Sequence, residues 1–402
     1  MRILIVTEYF APAWGFGGPP KVLFEIAREL VKRGHLVTVF TTNVLDEQRE
    51  TEKSYDVLEG IKVFYLRTLS RWLAWNTKVF IPIGLRKLLR EKIERFDIIL
   101  LASIRTIFNL LCYHYARKFG KPYVLFPYGS LPRGTGLKKL MKWVIDPLFG
   151  YRTLRDASMV LAQTQHEMQE ARKYGASNSA VKLMPLNVDF SEFRILPPRG
   201  NFRRKLDIES NEKVILFLGR LHKYKGLDLL VQSFSMVSEK KKQSKLVIVG
   251  RDDGYLQATL RLIKALGLGD KVVLTGPLYG KDRIEAYVDA DVFVMPSLHF
   301  EETSKAALEA CASSTPVIVT KQASIPGLDE HQAGITINYD RRELEEAILK
   351  ILNNEQLKEK MGKSARLFVE KAASLTDIVD QLERNLSVKQ QMMSISRVKK
   401  CR

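Results

Sequence analysis

The first 42 residues do most to fix what this chain can become. Residues 2–7, "RILIVT", form a continuous apolar run of strand length. A Gly-Pro loop follows, "APAWGFGGPP". Then "KVLFEIARELVKRG" carries Val22, Leu23, Ile26, Leu30 and Val31 at helical spacing and stops at Gly34. "HLVTVFTT" is the next strand. Strand, helix and strand at this spacing form a βαβ unit. Strands with so few polar positions are buried on both faces, which predicts a parallel sheet covered by helices.

The alternation continues. Strands are expected at 61–66, 97–101 and 122–126, in "SMVLAQ" before a helix, and in "AVKLMPLNVD". Residues 190–212, "FSEFRILPPRGNFRRKLDIESNE", break the pattern with two prolines, a glycine and mixed charge, and read as an interdomain linker. The strand–helix rhythm then restarts at "KVILFLG" and runs through "KLVIVG", "KVVLTG", "DVFVMPS" and "PVIVT". The expectation is an α/β chain of two doubly wound, Rossmann-like domains, 1–192 and 201–370. Residues 371–402 add a C-terminal helix that can cross back to the first domain, and a basic tail. In open parallel sheets ligands bind beyond the carboxyl ends of the strands. With two such domains, the expected site is a cleft where those ends face each other.

A length of 402 residues suits two cores rather than one. The net charge of +19 is unevenly spread: residues 61–160 hold 19 Lys/Arg against 5 Asp/Glu. Such a concentration points to an anionic partner. Cys112, Cys311 and Cys401 have no paired spacing, which argues against a disulfide frame or zinc site. The chain opens directly on a strand, and no apolar run approaches 18 residues. The expectation is a cytoplasmic protein with no membrane span.

The polar motifs fall on loops after strands. "LFLGRLHKYKG" ends a strand in Gly219, then offers Arg220 and Lys225 before Gly226 opens a helix. Two cations beside a helix N-terminus suit a diphosphate, and a solvated basic loop accounts for them equally well. "LVIVGRDDGY" places Gly250 after a strand, with Asp252 and Asp253 read as a solvent-facing turn. Asp291 in "DAD" starts a buried strand at the wrong end of the sheet for a metal ligand. In "FEETSKAALEACASSTPVI", Glu301 and Glu309 lie eight residues apart, about 80° around a helix, so they cannot share a face. Glu301 must come from the loop and Glu309 from the helix, with Thr303 or Ser304 as N-cap. A carboxylate at Glu309 needs donors, and either sugar hydroxyls or the protein's own groups can supply them.

This order of motifs resembles the retaining nucleotide-sugar glycosyltransferases of family 4, which have the GT-B fold. The features are a strand followed by "GRLHKYKG", a "VG" loop, Glu-x7-Glu and "TPVI". The likeness is strongest over about 180–320 and extends to the N-terminal "GG" loop and "KRGHLVTVFT". The resemblance implies that Arg220 and Lys225 bind the donor diphosphate and stabilise its charge as it leaves. It implies that Glu309 holds ribose hydroxyls and that Glu301 faces the donor sugar. Backbone amides at Thr303, Ser304 and Lys305 would meet sugar and phosphate, beside Gly219 and Gly250. Gly17 and Gly18 would let the first helix approach the phosphates. It implies no metal or cofactor, and a first domain that binds a glycan or lipid-linked acceptor.

The departures are specific. Thr303-Ser304 replaces the usual Phe-Gly, Ser314 the usual Gly, and "PLNVD" an Asn-Gly-Val-Asp. Tyr128 stands where the family commonly has a His that contacts donor sugar or acceptor, and is expected to pack and make one polar contact. These changes motivate a second reading, an inactive scaffold. A dinucleotide oxidoreductase is disfavoured because "GFGGPP" is not Gly-x-Gly-x-x-Gly and Thr41-Thr42-Asn43 offers no acid for a ribose. A glycosidase would leave the cationic loop without a purpose. Segments 68–93 and 133–155 interleave Trp72, Trp75, Phe80, Leu140 and Trp143 with Arg and Lys, as interfacial helices do. That pattern predicts peripheral association with an anionic inner membrane face. Nucleic acid is a poorer fit, since no binding motif accompanies the charge.

Overall fold

The computed structural model describes residues 1–131, 150–184, 188–299, 301, 304–372, 375–376, 379–380 and 382–384. The chain divides into two units, Met1–Leu186 with Leu375–Arg402, and Asn187–Ser374.

In unit 1 the described residues form an eight-stranded sheet in the order β3-β4-β2-β1-β5-β6-β7-β8. The strands are β1 Arg2–Val6, β2 Leu36–Thr42, β3 Tyr55–Leu58, β4 Ile61–Leu66, β5 Ile98–Ala102, β6 Tyr123–Phe126, β7 Met159–Ala162 and β8 Val181–Leu183. All neighbours run parallel except β3 and β4. The order reverses at β1, which pairs Ile3 with Val37 on one side and with Ile98 on the other. Loops after β1 and β5 therefore part at the carboxyl edge, where such sheets place their ligands. β3 is absent from the sequence reading. It folds back through Glu59 and Gly60, both at positive φ (47° and 83°), as a two-residue hairpin requires.

Unit 2 holds a six-stranded parallel sheet in the order β11-β10-β9-β12-β13-β14. Its strands are β9 Lys213–Leu218, β10 Ser244–Val249, β11 Val272–Gly276, β12 Val292–Met295, β13 Val317–Thr320 and β14 Gly334–Ile337. The reversal here falls at β9, between β10 and β12. Buried Ile215, Leu216, Phe217, Val292 and Phe293 fill its centre, each contributing roughly 1.5–3 kcal/mol.

The segment expected as a linker is a fixed part of unit 2. Phe193 and Phe202 are buried. Arg203 donates to Asp291 Oδ2 at 2.8 Å and to the Glu212 carbonyl at 2.7 Å. Arg199 and Lys358 each reach Asp291 Oδ1 at 2.8 Å, and the Val214 amide donates to Oδ2 at 2.8 Å. Asp291 is thus committed to an internal ion cluster, and prolines with mixed charge signalled packing rather than slack.

The described part of the C-terminal segment packs in unit 1. Leu375, Val379 and Leu382 are buried at helical spacing. Arg33 pairs with Asp380 and with Glu383 at 2.7 Å, and His35 Nε2 meets Glu383 at 2.7 Å.

Candidate active site

Four loops at the carboxyl edge of the unit 2 sheet are bound together by backbone contacts. Gly219 ends β9 and Gly250 ends β10. A Cβ on Gly250 would stand 1.7 Å from the Gly219 carbonyl, so the two loops touch backbone to backbone. Leu221 N–H donates to the Arg251 carbonyl at 2.9 Å, and Asp253 N–H donates back to Leu221 at 3.0 Å. Gly226 (φ 68°) opens helix Leu227–Lys240, and a Cβ there would lie 1.8 Å from the Pro296 carbonyl. Leu298 N–H donates to Tyr224 at 2.9 Å, tying the β9 loop to the β12 loop. Thr320 Oγ1 donates to the Ser297 carbonyl at 2.7 Å, adding the β13 loop.

This frame brings Lys225 and Glu301 into direct contact across 76 residues of chain. Ser297 Oγ donates to the other Glu301 oxygen at 2.8 Å, and Glu301 N–H donates to the Gln322 carbonyl at 2.7 Å. The carboxylate is therefore fixed by a cation, a hydroxyl and its own backbone. Arg220, 44% exposed, pairs with Asp253. Asp252 accepts the amides of Gly254, Tyr255 and Leu256 at 2.9–3.0 Å, at the start of helix Leu256–Ala265. Asp252 lies exposed in the turn, as the sequence suggests, and its carboxylate holds that turn, while the half-buried Asp253 restrains a cation. Burial lowers the His222 pKa, and the Arg220 and Lys225 charges add to that effect. Its Nδ1 accepts the Tyr224 amide at 3.2 Å, as a neutral imidazole can.

Ser304 is the N-cap of helix Lys305–Ala312, accepting from Ala307 N–H at 3.4 Å. Thr303 lies outside the described residues, while Lys305 is half-buried on the first turn. Glu309 is buried within the protein's own polar groups. Tyr287 OH donates to Oε2 at 3.2 Å, and Arg283 Nε pairs with it at 3.4 Å. Arg283 also reaches Glu192 at 2.5 Å. Burial alone would lower the Arg283 pKa, but the carboxylates of Glu309 and Glu192 outweigh it and raise it. Arg283 and Tyr287 were not singled out in the sequence, although their i,i+4 spacing on helix Gly280–Asp289 puts them on one face.

Unit 1 carries Gly17, Gly18 and Tyr128. Gly17 (φ 88°) is the N-cap of helix Gly18–Lys32, and a Cβ on either glycine would meet nothing within 4 Å. The loop after β6 is held by Glu167, which accepts Gly129 N–H at 2.7 Å and Gln163 N–H at 2.8 Å. Tyr128 takes φ 52° in that loop and packs on Phe126 with centroids 3.9 Å apart. The expected polar contact is not made: its hydroxyl is buried without a hydrogen-bond partner among the described residues. Glu8, at the end of β1, is also buried. Ser103 Oγ donates to its Oε2 at 3.2 Å, and burial pushes its pKa up.

The aromatic segment divides. Trp75 and Phe80 are core residues, with Phe16 edge-on to Trp75 at 5.0 Å, so they do not present an interfacial face. Trp72, Leu69, Val79 and Ile83 are exposed. Leu140 and Trp143 lie outside the described residues. No helix among the described residues is long and apolar enough to cross a membrane.

Comparison with known proteins agrees with this geometry. Residues 198–368 match the family of glycosyl transferases group 1, and residues 16–192 match glycosyltransferase family 4. An uncharacterised glycosyltransferase of Methanocaldococcus jannaschii is 28% identical over 345 residues, 83% of each chain. Sucrose-phosphate synthase from Thermosynechococcus elongatus superposes with a TM-score of 0.77 at 18% identity, covering 98% of this chain and 99% of that one. Anabaena HepE in complex with UDP-glucose gives 0.76 at 18% identity, covering 96% and 100%. The chain belongs to the group 1, family 4 glycosyltransferases, and its two parallel-sheet units are those of the GT-B fold.

Proposed function

We propose that the protein transfers a sugar, with retention of anomeric configuration, from a nucleoside diphosphate sugar to a glycan or lipid-linked acceptor. One observation carries this reading: Lys225 and Glu301 are locked together at the edge where Arg220, Gly219, Gly250 and the Ser304-capped helix converge. Glycosyl transfer passes through an oxocarbenium-like state while charge grows on the departing diphosphate, so cations fixed in advance lower the barrier. Arg220 and Lys225 are assigned that charge. Glu301 faces the sugar, and Glu309 takes ribose hydroxyls while retaining Arg283. Backbone amides around Ser304 and Lys305 meet the phosphate. The reading assigns no metal or cofactor. That the Anabaena neighbour was solved with UDP-glucose supports a nucleotide sugar as donor.

Gly17 and Gly18 leave open space for the donor phosphates at the first helix, and unit 1 is assigned the acceptor, with Tyr128 in its left-handed turn on the sugar or acceptor side. The exposed Leu69, Val79 and Ile83, beside Arg67, Lys78 and Lys87, suit an anionic membrane at the cytoplasmic face.

The test is a donor-hydrolysis screen over UDP-, GDP- and ADP-sugars with matching thermal shifts. One donor is expected to turn over, and Arg220→Ala to lower its turnover by about 100- to 1,000-fold with an unchanged melt. The buried Tyr128 hydroxyl, which has no hydrogen-bond partner among the described residues, and Thr303-Ser304 favour a second reading, an inactive scaffold. Nucleoside diphosphate binding without turnover of any donor would select it.

A further inference from the structure

The turn that carries Lys225 is held twice by one residue. His222 has extended backbone (φ −126°, ψ 148°), and its carbonyl accepts the Lys225 amide at 2.9 Å. Its ring Nδ1 accepts the Tyr224 amide at 3.2 Å. Two successive amides of the turn therefore depend on His222. Tyr224 passes the restraint on. Its ring lies edge-on to His222 at 4.7 Å and to His299 at 4.2 Å, and its carbonyl accepts the Leu298 amide at 2.9 Å. The next residue, Lys225, meets Glu301. Imidazole, turn, cation and carboxylate thus form one chain of contacts across the β9 and β12 loops.

This arrangement works in one protonation state. A ring nitrogen accepts a hydrogen bond only while it keeps its lone pair, so the neutral ring carries its proton on Nε2. A proton on Nδ1 would set N–H against N–H at Tyr224 and add a third positive charge beside Arg220 and Lys225. The groups facing the ring are Arg220, Tyr224 and Lys225 on its own loop, Asp253 from the β10 loop and His299 from the β12 loop. Burial holds the pKa below that of a free imidazole, and Arg220, Lys225 and His299 reinforce the shift. Asp253 opposes it, but its carboxylate is already paired with Arg220. We infer that neutral His222 is a positioning residue for Lys225: its bare Nδ1 fixes the turn that holds Lys225 on Glu301, and a proton on that nitrogen frees the turn and weakens diphosphate binding. The weakening rests on the assignment of Lys225 to the donor diphosphate; the link from ring to turn does not. An imidazolium would also attract phosphate. At a half-buried ring that attraction is screened, whereas a displaced Lys225 forfeits a preorganised contact.

The first measurement needs no ligand. In the full chain labelled with nitrogen-15 histidine and tyrosine, the His222 ring is expected as the Nε2–H tautomer with a midpoint below 6.5, and the Tyr224 amide to shift with the same midpoint. His222→Asn identifies the signal and supplies an oxygen that caps a turn without titrating. An Nδ1–H tautomer, a midpoint at or above 6.5, or a Tyr224 amide indifferent to the ring overturns the inference. The second measurement is calorimetric titration with UDP, GDP and ADP between about pH 8 and pH 5. A terminal phosphate takes up its own proton at about pH 6, so the loss is read against His222→Asn. Over that range wild type is expected to lose about fivefold more affinity than the Asn variant. At pH 8, His222→Ala should bind about fivefold more weakly than His222→Asn, with thermal melts showing both variants folded. Wild-type affinity that rises on acidification relative to His222→Asn also overturns the inference, since the imidazolium would then meet the diphosphate itself. Failure of all three nucleotides at pH 8 removes the donor reading, and the ligand-free titration still decides the link from ring to turn.

Discussion

Glu301 and Glu309 are eight positions apart and meet opposite surroundings. Glu301 is reached by Lys225 and Ser297 from loops, whereas Glu309 is enclosed by Tyr287 and Arg283. Truncating Glu309 to Ala leaves Arg283 buried with only Glu192 opposite, and is expected to cost about 3 kcal/mol, read from denaturant melts. Glu301→Gln should leave the melt nearly unchanged and act on turnover. Glu8 offers a pH test. Its folded pKa is raised above the 4.5 of a free glutamate, so the fold favours the protonated form. Stability it contributes is present below 4.5 and is lost as pH rises through the folded value. Glu8→Gln should therefore melt above wild type at pH 8, with the gap narrowing toward pH 5. A wild-type advantage at pH 8 would show that the carboxylate is held charged. His222 has the opposite sense: its lowered pKa makes stability fall as pH drops below 6.5. The sequence reached the loop origin of Glu301 and the helix origin of Glu309 through 100° per residue. It could not reach the Lys225–Glu301 pair, because side chains 76 residues apart are joined only by sheet order.

Elements were more legible than their partners. β9, β10, β12 and β13 were readable because parallel strands buried on both faces are uninterrupted apolar runs, and the half-buried edge strand β11 was readable from its Val272-Val273-Leu274 run. β3, "YDVL", was missed because an edge strand alternates polar residues with exposed apolar ones. β14, "GITI", was missed because it is short and begins on a glycine. That glycine is needed: a Cβ at Gly334 would lie 2.4 Å from the Val317 carbonyl of β13. Gly226 makes the same point where the first helix of the site begins. Gly226→Ala combines a left-handed φ with a clash against Pro296, and is expected to cost at least about 2 kcal/mol and to weaken UDP binding. A melt equal to wild type would mean that the β9 and β12 loops can separate freely. The 190–212 segment misled because its prolines and charges resemble a linker. Arg203 and Arg199 instead serve Asp291, and charge in a loop carries no label saying whether its partner is water or a buried acid.

At the level of the whole molecule, the charge of +19 is a statement about partners. Each Lys or Arg near an anionic surface contributes roughly 1 kcal/mol, and an apolar residue dipping into the headgroups adds to it. Co-sedimentation with vesicles containing phosphatidylserine is expected at low salt and should weaken sharply by 0.5 M, roughly, as screening shortens. Ile83→Asp should lower it further without altering the melt, because Ile83 is exposed. No sedimentation at low salt would remove the membrane from the proposal.

The return of residues 375–384 to unit 1 bears on how the chain is made. Unit 2 is contiguous, Asn187–Ser374, and holds every strand of its own sheet. Unit 1 is split around it, and its Arg33 and His35 wait for Asp380 and Glu383. On the ribosome, the unit begun first is therefore the one finished last. A nascent chain halted near residue 374 would expose the surface meant for Leu375, Val379 and Leu382, and so offer chaperones a defined target during synthesis.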